Sequence, residues 1–419
     1  MNRLPSWSRI SGFAWLLWVA LLAVQPADAA GSKRKTYAVA YEVELRPQTG
    51  IAHVTLTLTG PELPSRLTFT IDPERHRNFA GTGDIEKGAD TIVWNPPLDK
   101  GTLSFDFKVD HVLKGGTNDS HMTDSWAVFR GDRLVPPVRT LASTNLYADT
   151  TLHFTLPPGW SVLTRYPDRG GHRYAIDDPS RRFERPTGWM LAGKIGSRQA
   201  AIAGVSAVVA SPAGDTAHRQ ETLAFLNWNL PHVTALFPAF PKRLLIVRAG
   251  EPMFRGGLSG PSSLFLHSDR PMVTETRTSP LLHELVHVAM GISGDATSDW
   301  IVEGFAEYYS IELLRRSGGI SARRFKEATA LQGTRGQRAP DLFVSASTGA
   351  VTARAVSVML AVDAEIKEAT RGKASLDDVA REFAKQRGEV SLSQFQALAA
   401  KAAGRPVRAL DRGTLINGR

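Results

Sequence analysis

The sequence predicts an α+β protein with a β-rich N-terminal part and a helical C-terminal part. Three observations carry that prediction. Apolar residues recur with period two from Thr36 to about Ala210. From about Ala217 the spacing lengthens to the helical period. Pro and Gly punctuate the first region, whereas Ser, Asp and terminal Gly punctuate the second, as strand turns and helix caps respectively require.

The strands come first. Tyr37, Val39, Tyr41, Val43 and Leu45 alternate with smaller or polar residues, and Val54, Leu56 and Leu58 alternate with threonines. Leu103, Phe105, Phe107 and Val109 repeat the pattern, as do Leu152, Phe154 and Leu156. Pro47 and Gly50, Pro96 and Pro97, and Pro157 to Gly159 separate the runs. Such alternation buries one face of an antiparallel sheet. Past Ala217, Thr222 to Leu230 reads as a helix, while Arg243 to Arg248 and Ser262 to His267 read as buried strands. From Ser321 the chain is mainly helical. Ser375 to Asp378 and Ser391 to Gln394 resemble capping boxes, with Gly388 and Gly404 at the expected stops.

A chain of 419 residues exceeds one ordinary core. The expected division is residues 31–215, 216–325 and 326–419, preceded by a signal peptide at 1–30. Arg3 and Arg9 precede the apolar run Gly12 to Val24, and Ala27-Asp28-Ala29 supplies a cleavage site. That run would span only about 20 Å as a helix, short of a bilayer core. Export to the periplasm or medium follows, with no transmembrane segment left after cleavage. There is no cysteine, so any metal must be held by His and carboxylates. The net charge of +9 is scattered without interleaved aromatics, which argues against a nucleic-acid partner.

Residues 283–287 read HELVH. Histidines four apart lie about 40° apart around a helix, so both rings can face one ion. Ser279 suits the N-cap, Pro280 the first helical position and Gly291 the terminating one, giving a helix from Pro280 to Met290. A catalytic zinc needs a third protein ligand. Residues Asp299 to Tyr309 read DWIVEGFAEYY, with Thr297 or Ser298 as cap and Gly318 as stop. Glu303 is the expected third ligand, and Glu307, one turn on, its rival or its supporting carboxylate. Glu284 points about 100° away from its neighbour ligand. It is placed to act as general base toward the attacking water.

These residues resemble the glycyl aminopeptidase family of gluzincins, relatives of the aminopeptidase N family. HELVH followed by WIVEGFAEYYSIELLRRSG carries the resemblance. Arg130 to Leu134, Phe254 to Leu258 and Val362 to Val379 extend it over about Thr36 to Leu410. It implies a thermolysin-like zinc domain between the β-rich and helical parts, peptide or protein substrates, and a Gly-Gly-Leu strand that contacts substrate, here through Gly257 and Ser259. The chain departs from the family in three ways. It ends before a PDZ domain could follow. Ser259 stands where the family carries a Glu for the substrate amine. Thr352 stands where it carries an oxyanion-binding Tyr, leaving Arg354, Tyr308 and His267 as replacements by type. The expected activity is zinc-dependent peptide hydrolysis. The alternative is a peptide-binding envelope protein on a peptidase scaffold.

Overall fold

The computed structural model describes residues 34–177, 183–214, 219–339 and 341–417. The signal-peptide expectation falls on residues outside these. The chain is α+β. Its first part holds a six-stranded sheet in which Lys35–Arg46 lies between Leu146–Thr155, parallel to it, and Ile51–Thr59, antiparallel. A four-stranded sheet and a five-stranded sheet complete this part. The alternating residues behave as their spacing requires. Tyr37, Val39, Tyr41, Val43 and Leu45 are buried while their neighbours face outward, and Leu103, Phe105 and Phe107 meet Val54 and Leu56 across the same sheet.

A second five-stranded sheet runs Ile195–Ile202, Val205–Pro212, Arg243–Ala249, Ser263–His267, Gly257–Gly260. Its three inner strands are parallel and both edges antiparallel. Both faces are covered, which explains the unbroken apolar run RLLIVR. Leu244, Ile246, Leu264 and Leu266 pack against helices. Leu245, Val247 and Phe265 pack against Val128, Trp189 and Leu191 of the preceding strands. Two strands ahead of residue 215 therefore share a sheet with strands beyond it.

Helices follow at Arg219–Leu236, Pro280–Met290, Asp299–Arg316, Ala322–Gly336, Ala350–Thr370, Leu376–Gln386 and Leu392–Ala403. Both expected capping boxes form, at Ser375 with Asp378 and at Ser391 with Gln394. Gly404 ends its helix in the left-handed conformation. The preceding helix stops at Gln386, and its cap is Arg387 rather than Gly388. Among the described residues, no helix is long and apolar enough to cross a membrane.

Candidate metal centre

The helix Pro280–Met290 forms as its sequence dictates. The Ser279 hydroxyl accepts from the Leu282 N–H at 3.2 Å, Pro280 opens the first turn, and Gly291 closes the helix at φ +58°. Leu282, Leu285, Val286 and Ala289 enter the core, which leaves His283 and His287 half-buried on the remaining face. The helix Asp299–Arg316 packs beside it. Ser298 occupies its N-cap position without a side-chain cap bond, and Ser317 ends it just before the left-handed Gly318. Its buried stripe, Trp300, Ile301, Phe305 and Tyr309, turns Glu303 and Glu307 toward the histidines.

Three donor atoms converge there. His283 Nε2 and His287 Nε2 lie 3.1 Å apart, and each lies 3.3 Å from a Glu303 carboxylate oxygen. One donor atom from each of the three residues lies within 4.8 Å of the others, a group able to hold one metal ion. His283, His287 and Glu303 are the one group of this kind among the described residues. Glu307 is turned to the other side of the ring. Its Oε2 meets His283 Nδ1 at 3.1 Å, while its Oε1 accepts from Gln332 at 3.1 Å. A carboxylate at Nδ1 fixes the tautomer that leaves the Nε2 lone pair facing the cluster. The charges of these side chains act on one another. Burial pushes Glu303 up, yet hydrogen bonds from both imidazoles hold it well below the usual carboxylate range. Burial pushes His283 down, but Glu303 and Glu307 together raise it.

Glu284 is buried beside this group, against the edge strand Gly257–Gly260. Burial raises its carboxyl above the ordinary value, while the imidazoles of His283 and His287 and the Ser259 N–H oppose the rise. A Cβ at Gly257 would lie 2.5 Å from Glu284 Cγ, so the glycine leaves the space that this carboxylate occupies. Ser259 acts here through its backbone. Its N–H bonds Glu284, and its carbonyl accepts from Arg130 at 3.2 Å. Arg130 is held in turn by Asp132, at 2.9 Å. The Arg130–Leu134 segment thus braces the edge strand from a distant part of the chain. That link, and Gln332 behind Glu307, carry no signal in local periodicity.

The three oxyanion candidates lie elsewhere. Arg354 donates to the carbonyls of Leu415 and Ile416, tying down the last helix. Tyr308 is buried, and its charged surroundings are Asp363, Glu312, Arg316 and Asp377. His267 shares the strand face of Phe265, opposite that of Leu264 and Leu266, which pack on the helices. Thr352 lies in the first turn of the helix Ala350–Thr370.

No family model and no curated protein matches the sequence. Solved structures do match. An aminopeptidase N family protein from Idiomarina loihiensis aligns with a TM-score of 0.64 at 14% identity, over 83% of this chain and 70% of that one. The fold is shared. Legionella pneumophila aminopeptidase A, solved in complex with aspartic acid, aligns with a TM-score of 0.53 at 14% identity over 91% of this chain. This chain spans about half the length of that enzyme, 49%.

Proposed function

We propose that this protein is an exported zinc metallopeptidase with a thermolysin-like catalytic domain. His283, His287 and Glu303 would hold the metal, and Glu284 would serve as general base. The observation that carries the reading is the convergence of the His283 and His287 Nε2 atoms, 3.1 Å apart, on the Glu303 carboxylate, one 3.3 Å from each of its oxygens, beside the buried carboxylate of Glu284. The shared aminopeptidase fold supports it. Bound zinc supplies Lewis acidity, lowering the pKa of water and polarising the scissile carbonyl.

The remaining work falls to this chain's own side chains. Glu307 fixes the His283 ring through Nδ1. Glu284 takes a proton from the attacking water and returns it to the leaving amine. The Ser259 N–H and the bare Gly257 keep that carboxylate in one place. Gly257–Gly260 is the edge of its sheet, so an extended peptide can align along it.

The test is Glu284→Gln, which cannot accept the proton. The variant is expected to fold and keep one equivalent of metal while turnover of a peptide library falls by at least about 10²-fold. Unchanged turnover would place the chemistry elsewhere. A second reading, a peptide binder without turnover, is favoured by one observation. Arg354 is bonded to the Leu415 and Ile416 carbonyls, Tyr308 is buried near Asp363, Glu312, Arg316 and Asp377, and His267 lies on the strand face opposite Leu264 and Leu266. In that case wild type and Glu284→Gln would bind peptides alike and cleave none.

A further inference from the structure

We infer that Arg165 and Arg387 form a subsite that binds a carboxylate of the peptide substrate. The inference rests on the peptidase reading of the metal centre. A cleft of about 700 Å³ opens beside that centre, bounded by His287, Gly291, Ser259, Arg165 and Arg387. A molecule lying against the His287 ring and the edge strand would therefore also meet two guanidinium groups.

Both cations border the cleft, Arg165 half-buried and Arg387 exposed. Arg165 stacks over the Tyr166 ring at 4.5 Å and reaches the Ser262 hydroxyl at 3.4 Å. Its Nε is buried with no hydrogen-bond partner among the described residues. Arg387 caps its helix at φ +53°, where glycine is the usual residue. A residue with a Cβ held in that region costs strain, and such outliers gather at functional sites. Its guanidinium lies over Gly291, where a Cβ would come within 2.6 Å of Nη1. Gly291 thus ends the motif helix and leaves room for the cation. No ion pair joins either arginine to a carboxylate of the described residues. Asp177 also borders the cleft, whose lining thus carries two guanidinium groups against one carboxylate; Asp177 and Arg387 are both exposed, so water screens them alike.

A simpler account has Arg387 only balancing the carbonyl end of the motif helix. It leaves unexplained why Arg165, from a different element, borders the same cleft. Guanidinium forks match carboxylates in shape as well as charge. The carboxylate could be an Asp or Glu side chain near the scissile bond or the free C-terminus of the peptide.

The experiment uses the zinc-loaded mature protein and four matched peptides, carrying Glu or Gln at one internal position and ending in a carboxylate or an amide. kcat/KM is expected to favour the carboxylate-bearing member by about tenfold or more, the scale of one hydrogen bond to a charged group. The Glu-over-Gln ratio reads the side chain, and the acid-over-amide ratio reads the terminus. In the double variant Arg165→Gln/Arg387→Gln the favoured ratio is expected to fall toward one. Should the double variant not fold, Arg165→Gln alone is expected to lower the ratio. An equal loss on all four peptides would assign the arginines a structural role and overturn the inference. A second readout is binding of fluorescent versions to Glu284→Gln, where the same preference is expected and should vanish once the arginines are replaced. If wild type cleaves nothing, the peptidase reading fails while the binding ratios still decide the subsite. Ratios near one in both assays overturn it.

Discussion

Replacing Gly257 by Ala perturbs the proposed base without touching a metal ligand. The added Cβ would lie 2.5 Å from Glu284 Cγ and 2.6 Å from Oε1, whereas ordinary contact begins at 3.4 Å. Something must move by about 0.9 Å, the gap between 2.5 and 3.4 Å. The edge strand has little freedom. Ser259 is pinned through Arg130, and the Trp189 indole donates to the Leu258 carbonyl at 2.8 Å. The carboxylate of Glu284 is therefore displaced. A misplacement of about 1 Å costs on the order of 10²-fold in rate, about 2.7 kcal/mol of transition-state stabilisation. The assay is kcat/KM at matched metal content for wild type, Gly257→Ala, Glu284→Gln and the double variant. If the glycine acts through the glutamate, the effects are far from additive, and the alanine adds little once Glu284 is gone. Full activity in Gly257→Ala refutes the reasoning. An undiminished loss on the Glu284→Gln background would instead make Gly257 a substrate contact.

Other outcomes follow from the same geometry. His283→Ala or His287→Ala should abolish stoichiometric zinc, and Glu307→Gln should keep zinc but weaken it about 10- to 100-fold in chelator competition; retention by both histidine variants would break the assignment. Arg316 binds Asp377 through two bonds of 2.8 Å and Glu312 through another of 2.8 Å. Burial pushes both carboxyls up, but the arginine hydrogen bonds hold both below the usual range. Their stabilisation is present above about pH 4.5 and lost as pH falls through the lowered folded values. Arg316→Met should thus cost about 2–3 kcal/mol at pH 7, discounted for partial exposure of the arginine, and clearly less below pH 4 in urea unfolding. An equal loss at both would assign the effect to packing. N-terminal acetylation of a cleavable internal peptide should leave its cleavage unchanged, because Ser259 offers no charge and Glu307 is committed to His283 and Gln332. Loss of cleavage on acetylation would reveal an amine anchor.

Local chemistry was legible where neighbours in sequence are neighbours in space. Tyr37 to Leu45 alternate because a pleated strand exposes every second side chain. Ser279, Pro280 and Gly291 delimit the motif helix because each satisfies a terminal backbone need within four residues. The i, i+4 histidines likewise follow from helical pitch. The family-like segment Arg130–Leu134 could be noticed, but its purpose could not.

That purpose depends on contacts that span the chain. Arg130 reaches Ser259 across 129 positions, and Gln332 supports Glu307 from the next helix but one after the histidines. Strands 195–212 join the sheet of strands 243–267 because their apolar faces complete its two-sided burial. Arg354, Tyr308 and His267 were candidates by residue type, and folding bonded Arg354 to the Leu415 and Ile416 carbonyls, buried Tyr308, and set His267 on the strand face of Phe265. Sequence by itself determined the alternating strands, the capping boxes, the motif helix and the residues able to hold a metal, since pitch, pleat and capping act over a few residues. Only tertiary structure decided which carboxylate meets Nε2 and which meets Nδ1, what braces the edge strand, and which arginines share the cleft. Those outcomes depend on how separate elements pack, which no local period encodes.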